Sequence, residues 1–407
     1  MVLYLRFRQR MSSLRYLFKQ RVVILCLGFL LGCLLAAPAV LLYGRIWAEE
    51  GRDFLAFAIA HRPWGGLSYA HKQHLDLLPN IAASFAAQGW GKPGFWFVSI
   101  SLLPYGFLVA AAARLLKAVP LLACFVVGLV WGLNPSGWEG LLNSINSWSV
   151  IAAAYLLLLA RPLSASGLFI ASLLPAVSFP ALLFMPLALL RRSWIQFGGL
   201  AIGGLVQLLF FWFGNVGLAG DNLVDSRSIQ WLDFAALPSA IFARSFLHPI
   251  FATPISFDWP LILALPILCF SAWVLQRICC YLELDYWFVP QWLAWQGLAL
   301  LLSLGGAHLI AMQLFGHQRY GAVSVLLLPV LLVLVLDKIS RGAKNWIWPL
   351  IIGVLLLLPI FNGLKMVRVM KHSLSSDLAC MHWPALAVNQ ICPRGWQPVQ
   401  RSFRLFQ

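Results

Sequence analysis

The sequence predicts an all-α polytopic membrane protein, and three observations carry that expectation. Hydrophobic residues make up 61% of the 407 and charged residues only 10%; a soluble domain carries about 25% charged, so little of this surface is built to face water. Mean hydropathy is +0.84. Apolar runs near the ~20 residues that a bilayer demands recur along the chain. With 19 Trp, 28 Phe and 9 Tyr, a disordered chain, a collagen-like chain and a soluble enzyme on a single anchor are excluded. The net charge of +16 invites a nucleic-acid partner. No basic run is interleaved with a soluble fold, however, so the charge is assigned to topology and anionic membrane lipids, with no nucleic acid expected.

Residues 1–21 carry Arg6, Arg8, Arg10, Arg15, Lys19 and Arg21 without an acid, which marks a cytoplasmic basic tail under the positive-inside rule. Val22 to Tyr43 is the first span. Ala36 to Ala39 resembles a processing site, but the apolar run is longer than the core of a cleaved signal peptide. Leu30-Leu31-Gly32-Cys33 also has the look of a lipobox, against an ordinary in-membrane cysteine. Further spans are expected at 94–113, 118–133, 145–160, 166–176, 179–190, 194–213, 259–276, 292–315, 322–336 and 346–363. That makes about eleven transmembrane or re-entrant helices, with the C-terminus outside.

The pair at 166–190 sets the parity of everything downstream. Arg161 precedes it, Arg191-Arg192 follow it, and Pro175, Pro180 and Pro186 interrupt it. Two half-spans in a re-entrant hairpin satisfy both charge clusters; one proline-kinked span is the alternative. On the hairpin reading, 22–363 is a transmembrane bundle with long outer loops at 44–93 and 214–258, and 364–407 is an extracytoplasmic tail. Glu49, Glu50, Asp53, Asp76, Glu139, Asp221, Asp225, Asp233, Asp258 and Asp377 then fall outside, and Glu283, Asp285 and Asp337 inside. Lys365, Arg368 and Lys371 run against the pattern. Gly199 and Gly203, flanked by Gly198 and Gly204, predict close helix packing on the 194–213 span.

The cytoplasmic loops are too short for a nucleotide-binding domain, and neither a Walker motif nor a strand followed by GxGxxG is present, so no nucleotide cofactor is expected. Chemistry therefore belongs to the outer face. Arg45-Ile46-Trp47-Ala48-Glu49-Glu50-Gly51-Arg52-Asp53-Phe54 gathers three carboxylates directly after the first span. As an interfacial helix over 46–60, this segment sets Glu49 and Asp53 on one face and lets Trp47, Phe54 and Phe57 dip toward lipid. Two anions one turn apart suit a general base or a divalent ion such as Mg²⁺ or Mn²⁺. Neutralisation by Arg45 and Arg52 is the plainer explanation. His71-Lys72-Gln73-His74-Leu75-Asp76 adds two imidazoles, an amine and a carboxylate. His71 and His74 could hold a metal or a phosphate, although without cysteine or a third ligand the spacing is no zinc signature.

The loop 134–144 offers Asn134, Glu139 and Asn143, and Asn146 follows at the start of the next span; these suit sugar hydroxyls or, for Asn134, helix capping. Gly316-His317-Gln318-Arg319-Tyr320-Gly321 places a cation at the outer end of the 292–315 span, either as a phosphate clamp or as an arginine snorkelling to the headgroups. Cys26, Cys33, Cys124, Cys269, Cys279 and Cys280 are expected as free thiols. Cys380 and Cys392 share the outer tail, where an oxidising compartment predicts a disulfide.

Taken together, Trp47-Ala48-Glu49-Glu50-Gly51-Arg52-Asp53-Phe54, His74-Leu75-Asp76-Leu77-Leu78-Pro79, Glu139 with Asn143 to Trp148, Ser178-Phe179-Pro180, and Arg319-Tyr320 resemble bacterial polytopic glycosyltransferases of the GT-C type. The resemblance runs from the first span to Cys392-Pro393-Arg394-Gly395-Trp396. It implies a catalytic carboxylate in the first outer loop, a polyprenyl-phosphate sugar as donor, and a place in the bacterial inner membrane. The family's Glu-Asp-Gly stands here as Glu49-Glu50-Gly51, which keeps the charge and leaves both glutamates as candidate bases. On this reading Asp53 orients or binds metal, and His317 and Arg319, with Lys72, hold the phosphate. His71, His74, Asp76, Glu139, Asn143 and Tyr320 line the sugar or the glycan or lipid acceptor. One displacement by a hydroxyl inverts the anomeric carbon. The rivals are a lipid-linked oligosaccharide flippase or other transporter, a glycan polymerase or ligase, and a non-catalytic assembly partner. A carrier would set ionisable groups at the bilayer midplane, whereas these acids gather at one surface.

Overall fold

The computed structural model describes residues 2–44, 46–47, 50–61, 63–71, 74–90, 92–133, 142–178, 182–214, 231–247, 249, 261–303, 321–342, 350, 353–361, 363–364, 381–383 and 386–392. It is helical almost throughout. The helices are α1 (Val2–Ala36), α2 (Pro38–Tyr43), α3 (Ala56–Ala60), α4 (Leu77–Ala87), α5 (Pro93–Leu115), α6 (Leu121–Leu133) and α7 (Ser147–Leu159). They continue as α8 (Ala165–Ala171), α9 (Phe184–Leu190), α10 (Trp194–Phe213), α11 (Trp231–Phe242), α12 (Leu261–Tyr281), α13 (Phe288–Ser303) and α14 (Ala322–Gly342).

Among the described residues, five segments are long and apolar enough to cross a membrane: Tyr16–Ala36, Pro93–Leu115, Trp194–Phe213, Leu263–Tyr281 and Ala322–Gly342. The multi-pass character stands, but the expected eleven spans are not all full length. Those at 118–133 and 145–160 become α6 and α7, of 13 residues each, about 20 Å against a hydrocarbon core of about 30 Å. Burial explains how α7 can be short. Every residue of it except Leu158 is buried, so protein rather than lipid surrounds its ends, where irregular backbone is tolerated. The 259–276 span shifts to α12. Of 292–315, α13 covers the part to Ser303 and the rest lies outside the described residues. Within 346–363, residues 353–361 are helical.

The 166–190 segment is broken, as its prolines require. Helix α8 gives way to a 3-10 turn at Leu174–Val177, and α9 follows. Both flanks lie at one end of the bundle: Asp285 donates its backbone N–H to the Ala160 carbonyl and its carboxylate receives Arg191 at 2.6 Å. The apex lies elsewhere, since Ser178 pairs with Asp76 of the first long loop. The segment enters and leaves by the same end.

That end collects cations together with three acids. Arg21 donates to the carbonyls of Leu116 and Val119, and Arg114 to those of Leu158 and Pro162. Lys338 meets Glu283, Arg341 meets Asp337, and Arg341 also reaches the Ala118 carbonyl. Helices α9 and α12 stop here in the same way. Arg192 and Glu283 take the left-handed conformation, at φ 57° and 59°. Each stop carries the paired bonds of a Schellman motif: Ser193 to Ala188 with Arg192 to Leu189, and Leu284 to Cys279 with Glu283 to Cys280.

Three glycine pairs give close helix packing. A Cβ on Gly28 would stand 2.2 Å from the Phe125 carbonyl oxygen, and one on Gly132 would stand 2.1 Å from that of Phe29, so α1 and α6 touch backbone to backbone. Gly32 and Gly128 complete that seam. On α10, Gly199 and Gly203 meet Ser172 and Ala176 of the broken hairpin, the close packing that their spacing predicts. Cys33 is buried within the continuous α1.

Beside the helices, a small three-stranded sheet orders β1 (Ile46–Trp47), β3 (Leu386–Cys392) and β2 (Met381–Trp383) as β1-β3-β2. Strand β3 runs parallel to β1, with Ile46 opposite Ile391 and Trp47 opposite Cys392. The edge that feeds the acidic loop is thus paired with the far tail.

Candidate functional site

An interfacial helix over 46–60 does not form. Its start is β1, Glu50–Leu55 is a π-helical turn, and only Ala56–Ala60 is α-helical. Phe54 and Phe57 do not reach lipid: they are buried against Tyr69, Phe97 and Ala83 in a core of their own. Ring pairing accounts for the turn inward, with Phe54 edge-on to Tyr69 at 5.1 Å and Phe57 at 4.7 Å from the same ring. Gly66 allows the closure, because a Cβ there would stand 2.8 Å from the Ala58 Cβ and the Ser84 Oγ. The aromatic residues draw in the acids just before them. Glu50 is 1% exposed and Asp53 4%.

Each buried carboxylate has defined company. Glu50 Oε1 accepts from the Ser144 backbone N–H at 2.8 Å and from its hydroxyl at 2.6 Å. Ser144 follows Leu142, a non-glycine residue at φ 50°, and such backbone strain tends to sit at functional sites. Between them Asn143 uses Oδ1 to accept from Ile145 and Asn146, while its buried Nδ2 has no hydrogen-bond partner. Asp53 lies 3.8 Å from His71 Nδ1, and the His71 ring packs 5.0 Å from that of Phe54.

A second carboxylate and imidazole lie beside the first. His74 Nε2 is 3.2 Å from Asp76 Oδ2, and the Ser178 hydroxyl donates to Asp76 Oδ1 at 2.8 Å. Asp76 is the N-cap residue of α4 but makes no side-chain cap. Burial pushes its carboxyl up, yet the charges of His74 and His71 and the hydrogen bonds from His74 and Ser178 outweigh that and hold it below its ordinary value. Gln207 of α10 fixes the backbone here. Its Oε1 accepts from Leu75 N at 2.8 Å, and its Nε2 donates to the carbonyls of Leu75 and Ala176 at 2.9 and 3.3 Å. The first loop, the hairpin apex and a membrane helix meet at this one amide.

The structure therefore brings Glu50, Asp53, His71, His74, Asp76 and Asn143 into the first-loop region at the end opposite the basic cluster. Glu49, Lys72, Glu139, His317, Arg319, Tyr320 and Cys380 lie outside the described residues, as does the side chain of Cys392, so the expected disulfide does too. His71 and His74 lie with their rings 5.9 Å apart, His71 beside Asp53 and His74 beside Asp76. Among the described residues no three metal-ligating side chains gather. Sequence reasoning gave no site-building role to Ser144, Ser178 or Gln207, although the two serines fall within motifs quoted above. Gln207 had a signal, as one of two amides in an apolar span; nothing paired Ser144 with Glu50, because only folding brings them together.

Comparisons with protein-family models, with curated proteins and with solved structures find no match for the chain.

Proposed function

We propose that the protein is a GT-C type membrane glycosyltransferase. It would move a sugar from a polyprenyl-phosphate donor to a cell-envelope glycan or lipid acceptor on the outer face of the bacterial inner membrane. The observation that supports this most is a buried glutamate whose one oxygen is held by two donors of Ser144. A carboxylate oriented in this way, in a water-poor loop beside membrane helices, is suited to take the proton of an acceptor hydroxyl. In this scheme the hydroxyl oxygen attacks the anomeric carbon, its proton passes to Glu50, and the lipid phosphate leaves with the bonding pair, so the product is inverted. Asn143 Nδ2, buried and without an acceptor, would receive a sugar oxygen. Arg319, His317 and Lys72 stay assigned to the phosphate, and Tyr320 and Glu139 to sugar or acceptor. Asp53 with Glu49 stays the pair for Mg²⁺ or Mn²⁺, and no step here runs through the ion.

Replacing Glu50 by Gln keeps an oxygen for Ser144 to donate to while removing the base. Transfer from labelled polyprenyl-phosphate hexoses in nanodiscs should fall about 100-fold or more at unchanged melting temperature. Full activity in Glu50→Gln, Glu49→Gln and Asp53→Asn alike overturns the reading.

A transport reading has one observation in its favour. The broken hairpin carries its apex, Ser178, to Asp76, and discontinuous helices are where carriers place their sites. Reconstituted protein that moves a fluorescent polyprenyl-phosphate sugar between leaflets without transferring the sugar would favour it.

A further inference from the structure

The first-loop region contains a second proton-bearing pair that the base does not use. Asp76 occupies a helix N-cap, where aspartate ordinarily accepts from the first-turn N–H groups. Here it forgoes that bond and gives one oxygen to His74 Nε2 and the other to the Ser178 hydroxyl. Two elements distant in sequence serve this arrangement, because Gln207 ties Leu75, between His74 and Asp76, to Ala176, two residues before Ser178. A carboxylate built in at that expense of local bonding orients an imidazole and favours its cation. Exposure completes the picture. The His74 side chain is 25% exposed and that of Asp76 only 7%, so the imidazole can meet a substrate while its partner stays covered.

We propose that His74, positioned by Asp76, Ser178 and Gln207, is the general acid that protonates the departing lipid phosphate. This rests on the glycosyltransferase reading and adds a residue to it. As the bond between the anomeric carbon and the phosphate oxygen breaks, the electron pair goes to that oxygen, which takes a proton from the imidazolium. The acceptor's own proton has passed to Glu50, and solvent restores both groups before the next turnover. Among the described residues, His71 and Asp76 are titratable groups that face His74, and Asp53 lies behind His71. A charged His71 disfavours a second cation there, and the Asp76 carboxylate, 3.2 Å from Nε2, favours it.

A leaving-group comparison in nanodiscs tests the proposal, with the same labelled hexose offered on polyprenyl phosphate and on polyprenyl pyrophosphate, a better leaving group. His74→Ala should lower kcat about 100-fold on the monophosphate and under tenfold on the pyrophosphate. Asp76→Asn should move the alkaline limb of the wild-type pH profile to lower pH, with Ser178→Ala shifting it less in the same direction. A role in folding alone would depress both donors equally and leave the limb in place, and that result overturns the proposal. An active wild type with an equally active His74→Ala removes the acid and leaves the glycosyltransferase reading intact. A wild type inert toward both donors removes the two together.

Discussion

Asp76 shows how a single residue can carry more than its position in the sequence advertises. Its carboxyl is held below the ordinary value of about 3.8 by His74, His71 and Ser178 despite its burial. A carboxyl depressed on folding adds stability that is fully present above the unfolded value and disappears as pH falls through the lower folded value. Melting temperature should therefore drop as pH is taken from 5 toward 2, and Asp76→Asn should start lower at pH 7 and fall less steeply. Ser144 makes a complementary case. Ser144→Ala deletes the 2.6 Å bond to Glu50, a loss of about 2 kcal/mol for a hydrogen bond to a charged group, to be read as a lower denaturation midpoint. The acids themselves are legible in the sequence, since three carboxylates beside a span stand out against so apolar a chain. Their inward turn is not. It depends on Phe54 and Phe57 meeting Tyr69 and Phe97, and nothing in the amphipathic pattern of 46–60 distinguishes a lipid face from a protein face.

Elements repeat the lesson with glycine. The Gly199 and Gly203 spacing announces its contact, whereas around Gly32 the sequence suggests a lipobox at Leu30-Leu31-Gly32-Cys33 and leaves the seam of Gly28 and Gly32 with Gly128 and Gly132 unread. Position decides what a methyl group does at each glycine. Gly132→Ala drives a Cβ to 2.1 Å from a backbone oxygen of α1, and α1 and α6 must part or shift. Gly106, within α5, has nothing within 4 Å of its would-be Cβ, so Gly106→Ala should stabilise by about 0.5–1 kcal/mol through lost unfolded-state freedom. Thermal unfolding of the two variants in one detergent should move in opposite directions. Helix stops offer a second contrast. Arg192 holds a left-handed conformation that disfavours any side chain by about 1–2 kcal/mol, so Arg192→Gly should raise the melting temperature. The proline-broken 166–190 segment is legible from Pro175, Pro180 and Pro186. Strand β1 is not, because two residues acquire strand character only through a partner in the far tail.

At the scale of the molecule, charge is segregated between two ends. Asp285, Glu283 and Asp337, the acids assigned to the cytoplasmic loops by sequence, each meet a cation: Arg191, Lys338 and Arg341. Around them Arg21 and Arg114 satisfy loop carbonyls, so this end is both the basic one and the one where helix stops are tied together. The other end holds Glu50, Asp53 and Asp76 with two imidazoles. A membrane potential and anionic inner headgroups favour the basic end in the cytoplasm, an orientation that would put the carboxylates on the outer face that the proposed transfer requires. Labelling separates this orientation from its inverse. Ala60 and Ser340 are exposed at opposite ends, and the exposed native thiols Cys269 and Cys280 are first replaced by Ser. An impermeant maleimide should then label Ala60→Cys in intact cells and Ser340→Cys only after permeabilisation. The reverse pattern would put the carboxylates in the cytosol, where the outward-facing transfer proposed above could not take place.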